Sequence, residues 1–241
     1  MKKVAIVAAY RSAIGSFGGS FKDIKLADLG AQVLTYALEK STISPNLVEE
    51  VIIGNVLGAG QGQNVARQIA LGAGIPETTS AFVVNKVCGS GLKAVQLAAQ
   101  SILAGDQDVV VAGGIEIMSQ APYLSKDSRF GKKLGGISLE DSLLTDGLTD
   151  AFSGEHMGIT AENVAEKYQL TRQEQDAFAL ASQEKALKAI ADDRFSDEIV
   201  PLSVKEGRRQ VLSDQDEYPR DPNLEKLSNP SPTFKKDGTV T

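Results

Sequence analysis

Over its first ~120 residues the sequence alternates short apolar runs with amphipathic stretches, and few folds accommodate that order. It predicts a mostly parallel β-sheet covered by helices, because each strand–helix–strand step returns the chain to the same sheet edge-on. The predicted strands are residues 3–8, 50–56, 81–87 and 108–113, each rich in Val, Ile or Ala and ending near Gly or a polar residue. Between them lie predicted helices. Residues 26–40 carry Leu26, Leu29, Val33, Leu34 and Leu38 on one face, and residues 63–73 and 91–103 supply two more. Ser44-Pro45 reads as a helix cap followed by a first-turn proline.

From about Ser119 the character changes. Gly, Ser, Asp and Lys dominate residues 125–150, which predicts an excursion of loops and short pieces. Two helices are expected after it. One covers residues 160–168. The other opens on Thr171-Arg172-Gln173-Glu174, a capping-box pattern, and continues to about Asp193. Residues 199–204 read as a strand. From residue 205 onward the chain is polar and turn-rich, and its seven basic and seven acidic residues balance.

The formal net charge is −6, which disfavours a nucleic-acid partner, since phosphates call for a basic face. Apolar residues at 42% and charged residues at 23% are ordinary for a folded soluble protein. The apolar run after Lys2-Lys3 is broken by Tyr10-Arg11-Ser12, too soon for a signal-peptide core, and no apolar stretch is long enough to cross a membrane. With a single cysteine no intrachain disulfide framework points to secretion, so a cytoplasmic location is expected.

That cysteine, Cys88, follows the apolar run Val83-Val84 and precedes Gly89-Ser90-Gly91 and a helix. A thiol there meets the positive end of a helix dipole, which favours the thiolate. Gly89 and Gly91 would let a substrate carbonyl approach the backbone, the arrangement an acyl-transfer nucleophile needs. The bland alternative is a buried cysteine serving as a small hydrophobe. A rival function uses the same segment: Gly89-Ser90-Gly91-Leu92-Lys93-Ala94 matches a dinucleotide fingerprint, but the acidic residue expected about 20 residues on is misplaced. His156, the only histidine, lies in Gly-rich surroundings that suit a surface, packing or ligand-lining role. Arg220 suits either a phosphate or a pairing with Asp216 or Asp221, and Lys235-Lys236 suit solvent. One Cys and one His give too few soft ligands for a metal site.

Several segments together resemble the thiolase family, and within it the acetyl-CoA acetyltransferases. They are Ala9-Tyr10-Arg11-Ser12-Ala13-Ile14-Gly15, Gly54-Asn55-Val56-Leu57, Gly62-Gln63-Asn64-Val65-Ala66-Arg67-Gln68 and Asn85-Lys86-Val87-Cys88-Gly89-Ser90-Gly91-Leu92-Lys93-Ala94. Further on come Ala112-Gly113-Gly114-Ile115-Glu116-Ile117-Met118-Ser119, Asp146-Gly147-Leu148-Thr149-Asp150-Ala151-Phe152, Glu155-His156-Met157-Gly158-Ile159-Thr160-Ala161-Glu162-Asn163 and Asp237-Gly238-Thr239-Val240-Thr241. The resemblance runs in order over the whole chain.

It implies an α/β fold of two similar halves, each with a mixed sheet covered by helices, and a loop domain inserted in the first. Residues 1–118 would be the amino-terminal α/β domain and residues 119–241 the loop domain on the coenzyme A side, with the second α/β half not reached. It implies that Cys88 becomes acylated, and that Met118, Leu148, His156, Met157, Gln183, Arg220 and Phe234 lie at coenzyme A or pantetheine contacts. His156-Met157 resembles the members that handle acetoacetyl-CoA. The implied reaction is condensation of two acetyl-CoA to acetoacetyl-CoA and coenzyme A, or its reverse, with no further cofactor and with a homodimer or homotetramer as the assembly. Lys226 departs from the pattern, standing where related members often carry a serine. The family's Asn-Glu-Ala-Phe, Gly-His-Pro and Cys-x-Gly-Gly segments do not occur in this sequence. A non-catalytic thiolase-like binding or assembly protein and a ketoacyl synthase-like condensing enzyme are the alternatives.

Overall fold

A computed structural model of the protein describes residues 3–221 and 223–241. Helix α1 (Leu26–Ser41) leads into a 3-10 turn at Pro45–Leu47, whose first N–H groups are met by the Ser44 side chain at Asn46 N. Strand β1 (Glu50–Gly54), helix α2 (Val65–Gly72), strand β2 (Ser80–Val84), helix α3 (Ser90–Ala104) and strand β3 (Val110–Gly114) follow. The three strands form one parallel sheet in the order β2-β1-β3. The α/β layering predicted from the alternation is therefore present. After Glu50 the central strand is apolar and buried, as befits a strand with partners on both sides: Val51, Ile52 and Ile53 are buried. Ile52 packs with Ala94 and Ala98 of α3, which lies against the sheet.

Beyond the sheet come the two-residue strands β4 (Tyr123–Leu124) and β5 (Glu140–Asp141), paired antiparallel, and a π turn at Leu143–Leu148. Helices α4 (Met157–Tyr168) and α5 (Arg172–Ala191) come next. Strands β6 (Leu202–Glu206) and β7 (Arg209–Ser213) make an antiparallel hairpin, and α6 (Leu224–Ser228) is one short helix. The chain divides into two compact units. The first runs to Leu143 and takes in Glu198–Gln215; the second comprises Leu144–Asp197 and Asp216–Thr241. No described helix is long and apolar enough to cross a membrane.

Four sequence expectations about the elements are corrected. Residues 3–8 form no strand: Ile6 is 78% and Val7 67% exposed. Apolar character does not make a strand unless its backbone finds a ladder, and pairing begins only at Arg11. There the Arg11 N–H donates to Glu198 O (2.9 Å) and Val200 N–H donates to Arg11 O (2.8 Å). The strand expected over 199–204 starts at Leu202, because Pro201 has no N–H to give the ladder. The polar stretch from 205 onward is not merely turns: it completes the β6–β7 hairpin, whose Val204 and Ser213 are buried, and holds α6. Helix α4 also begins three residues before the expected 160, since the His156 side chain caps it.

Candidate acyl-transfer site

Strand β2 ends at Val84, four residues before Cys88, and the intervening chain turns sharply. The turn is built from side-chain-to-backbone bonds. Asn85 Oδ1 accepts the Val87 N–H at 2.9 Å. Ser90 Oγ accepts the Lys86 N–H at 2.8 Å and donates to the Val87 carbonyl at 2.6 Å. Val87 has φ +49°, the left-handed region that a β-branched residue enters at a cost of roughly 1–2 kcal/mol. The staple made by the buried Ser90 holds that conformation. Its result is an exposed Cys88 thiol two residues ahead of the first residue of the fifteen-residue helix α3. The buried-hydrophobe reading of the cysteine is thereby excluded.

Glycines let α3 come this close to the sheet. A Cβ on Gly54 of β1 would run into the backbone of Ser90 and Gly91, and a Cβ on Gly114 of β3 would lie 2.9 Å from Gly91 Cα. The expectation that Gly91 leaves room for a substrate carbonyl is therefore corrected: its bare face is spent inward, against Gly114. Gly89 has only Lys86 nearby. Beyond the strand ends, Glu116 fixes the exit of β1 by accepting from Asn55 Nδ2 (2.8 Å), Val56 N (3.0 Å) and Leu57 N (2.8 Å). Met118, half exposed, opens the 3-10 turn Met118–Gln120 two residues later. That turn is tied down by Gln120 Nε2, which donates to Lys22 O and Ile24 O.

In the second unit His156 is the N-cap of α4 and pairs with Thr149 in an isolated antiparallel bridge, one residue past Leu148. His156 Nδ1 accepts the Gly158 N–H at 2.9 Å. A backbone N–H can only donate, so in the neutral ring the proton sits on Nε2, leaving that nitrogen as a donor. Phe234 stacks on the imidazole, with centroids 5.0 Å apart and planes 16° apart. Gly158 makes the stack possible, since a Cβ there would overlap the Phe234 ring. Met157 follows His156 and is exposed. Asp150 anchors the preceding loop: the N–H and hydroxyl of Ser153 and the N–H of Phe152 hold its carboxyl below the usual carboxylate value. Gln183 and Arg220 are joined by the Arg220 N–H, which donates to Gln183 Oε1 at 3.0 Å. His156 with Phe234, and Gln183 with Arg220, are the pairs brought into direct contact. The sequence reading missed Ser90, Glu116 and Glu162, whose side chains bind backbone rather than each other. The signal for Ser90 was a hydroxyl between two glycines and for Glu116 a carboxylate in an apolar run; Glu162, inside α4, gave none. Among the described residues no group of His, Cys, Asp and Glu has the makings of a metal site.

A model of the thiolase amino-terminal domain matches residues 4–241. The chain belongs to the thiolase family. It is 53% identical, over its whole length, to a Staphylococcus aureus protein named "Probable acetyl-CoA acyltransferase" and 54% identical to one of the same name from Staphylococcus epidermidis. It spans 62% of the length of each. The crystal structure of the Bacillus anthracis acetyl-CoA acetyltransferase superimposes with a TM-score of 0.94 at 43% identity, over 98% of this chain and 60% of that one. As a thiolase amino-terminal domain, the chain has Cys88 on the turn between the second strand of its sheet and α3.

Proposed function

We propose that the whole protein transfers acetyl groups between coenzyme A and Cys88, and condenses two acetyl-CoA to acetoacetyl-CoA or runs the reverse thiolysis. The observation that carries this reading is the Cys88 thiol, exposed on a stapled turn ahead of α3, in a chain of the thiolase family. In acylation the thiolate attacks the thioester carbonyl, the C–S bond to coenzyme A breaks, and coenzyme A leaves as the thiolate that takes up a proton. Condensation then requires an α-proton to be removed from a second acetyl-CoA. We assign the acylation half-reaction to Cys88 of this chain and the condensation to the whole protein.

The relatives named above carry acetyl-CoA in their names, which supports coenzyme A thioesters as the ligands. We assign residues 1–118 to the nucleophile and residues 119–241 to the coenzyme A side. There His156 and Phe234, with Leu148, Met157, Gln183 and Arg220, would line the pantetheine and nucleotide path; Met118, in the first segment, is assigned to coenzyme A thioester contact. The test is intact-mass analysis after incubation with acetyl-CoA. One acetyl adduct is expected, absent from Cys88→Ala and released by added coenzyme A. A folded sample that gains no adduct overturns the assignment of acylation to this chain.

A further inference from the structure

The second unit contains a strap, residues 233–240, a loop held against helix α4 at three points. At one end Phe234 lies flat on His156 over Gly158. The next residue, Lys235, pairs through Nζ with Glu166 in the last turn of α4 at 3.1 Å, in solvent. At the other end Glu162, only 4% exposed, receives the Thr239 N–H on both carboxylate oxygens (2.9 and 3.0 Å) and the Val240 N–H on Oε1 (2.9 Å). Gly238 is what lets the strap reach the carboxylate, because a Cβ there would overlap Glu162 Oε1. Gln175 Nε2 of α5 donates to Thr239 Oγ1 at 2.8 Å, and Thr233 N–H closes the strap on itself by donating to Val240 O at 3.0 Å.

The surface pair Lys235–Glu166 adds little, being solvated. The stack alone is a contact between two half-buried rings. Charge-assisted bonds from two backbone N–H groups to one buried carboxylate are the strongest and most directional of the fastenings. Since Thr233 is bonded to Val240, pinning Thr239 and Val240 also fixes where the residue after Thr233 lies, and that residue is Phe234.

We propose that Glu162 is a positioning residue for the acyl-carrier site: by clasping Thr239 and Val240 it holds the Phe234 ring against His156 and so sets the orientation of the imidazole presented to the pantetheine arm. Glu162 itself touches no ligand in this scheme. It acts through the strap and through Phe234. The proposal rests on the assignment of His156 to the coenzyme A side.

His156 is the only histidine in the chain, so its ring protons give an unambiguous NMR signal. A flat aromatic neighbour moves those protons upfield, and losing it moves them back. The experiment compares the chain with its Glu162→Gln and Phe234→Leu forms, following the His156 ring protons at neutral pH and coenzyme A affinity by calorimetry. The amide in Glu162→Gln keeps the shape but replaces one acceptor oxygen with a donor. A downfield move of the His156 signals in Glu162→Gln, in the same direction as in Phe234→Leu and in a sample that still melts cooperatively, is the expected result. It should be accompanied by about tenfold weaker coenzyme A binding, as ordering the contact becomes part of the cost of binding. A folded Glu162→Gln chain with His156 signals unmoved overturns the proposal. If the unmodified chain binds no coenzyme A, the ligand assignment fails, while the His156 signal still decides what Glu162 does. Should the glutamine form not fold, hydrogen exchange of the unmodified chain decides: Thr239 and Val240 amides that exchange as fast as in an unstructured peptide overturn the clasp, and strong protection upholds it.

Discussion

Gly91 and Gly114 meet backbone to backbone, so closely that a Cβ on Gly114 would stand 2.9 Å from Gly91 Cα. Helix α3 therefore cannot keep its seat on the sheet if Gly114 gains a side chain, whereas a Cβ on Gly91 would stand at an ordinary 3.6 Å from Gly114 Cα. Gly114→Ala is expected to destabilise the first unit by about 1–3 kcal/mol, the usual cost of overpacking where only backbone stands to yield. The urea midpoint measures this. An alanine form as stable as the parent would show that α3 can lift off the sheet freely.

The same helix carries the Cys88 turn at its front, and the turn has its own weak point. Ser90 spends its hydroxyl on Lys86 N–H and the Val87 carbonyl, keeping Val87 left-handed. Ser90→Ala leaves that conformation to the steric preferences of valine, which oppose it. It is expected to cost about 1–2 kcal/mol in stability and to slow alkylation of Cys88 by iodoacetamide, since the thiol loses its fixed, exposed place on the turn. Val87→Asn in the Ser90→Ala background should recover part of the rate, because asparagine tolerates a positive φ. Equal alkylation rates in parent and alanine forms would mean the turn holds itself.

Much of this was legible beforehand because the relevant signals are local. Apolar runs bounded by Gly gave the three parallel strands to within a few residues, and Thr171-Arg172-Gln173-Glu174 announced a capping box that the structure contains. What the sequence hid was pairing at a distance. Residues 3–8 look like a strand, but whether a strand forms depends on a partner that apolar content does not reveal. The β6–β7 hairpin escaped notice because, Leu212 apart, its exposed side chains are polar and its turn falls at Gly207 in a charged stretch. Glu162, read as one polar residue of a helix, proved to be a buried acceptor for backbone 77 residues away.

The pH response of the second unit follows from that acceptor. Burial pushes the Glu162 carboxyl up, but the Thr239 and Val240 N–H groups, the Thr239 hydroxyl and the Lys235 ammonium outweigh it, and the carboxyl ends below its ordinary 4.5. Glu174, held by the N–H and hydroxyl of Thr171, and Asp150 are lowered as well. A carboxyl lowered in the folded state favours the fold above its unfolded value and loses that contribution as pH falls through the folded one. The urea midpoint should therefore hold steady from pH 7 to about 5 and decline below about 4.5, the ordinary glutamate value. Glu162→Gln should start lower at neutral pH and decline less. Parallel curves for the two forms would remove Glu162 from the acid response.

Arg172 draws together more chain than any other cation of the second unit's helices described here. From the first turn of α5 its Nε donates to Asp176 at 2.9 Å, while its two terminal nitrogens donate to the carbonyls of Pro230 (2.9 Å) and Leu227 (2.7 Å). Three acceptors in two directions require the planar fork of a guanidinium; an ammonium on a flexible stem cannot meet them together. The Leu227 carbonyl is near the end of α6, so the bond also satisfies a helix terminus. Arg172→Lys should thus cost about 1–2 kcal/mol, by loss of at least one bond to α6. Arg172→Met should cost more, about 3 kcal/mol, because Asp176 is 7% exposed and would be left without its cation. Removing that carboxylate too, in Arg172→Met with Asp176→Leu, should recover part of the loss but not the tie to α6. Urea unfolding of the three forms checks the order, and a lysine form as stable as the parent would show that α6 is held on α5 by its apolar contacts alone.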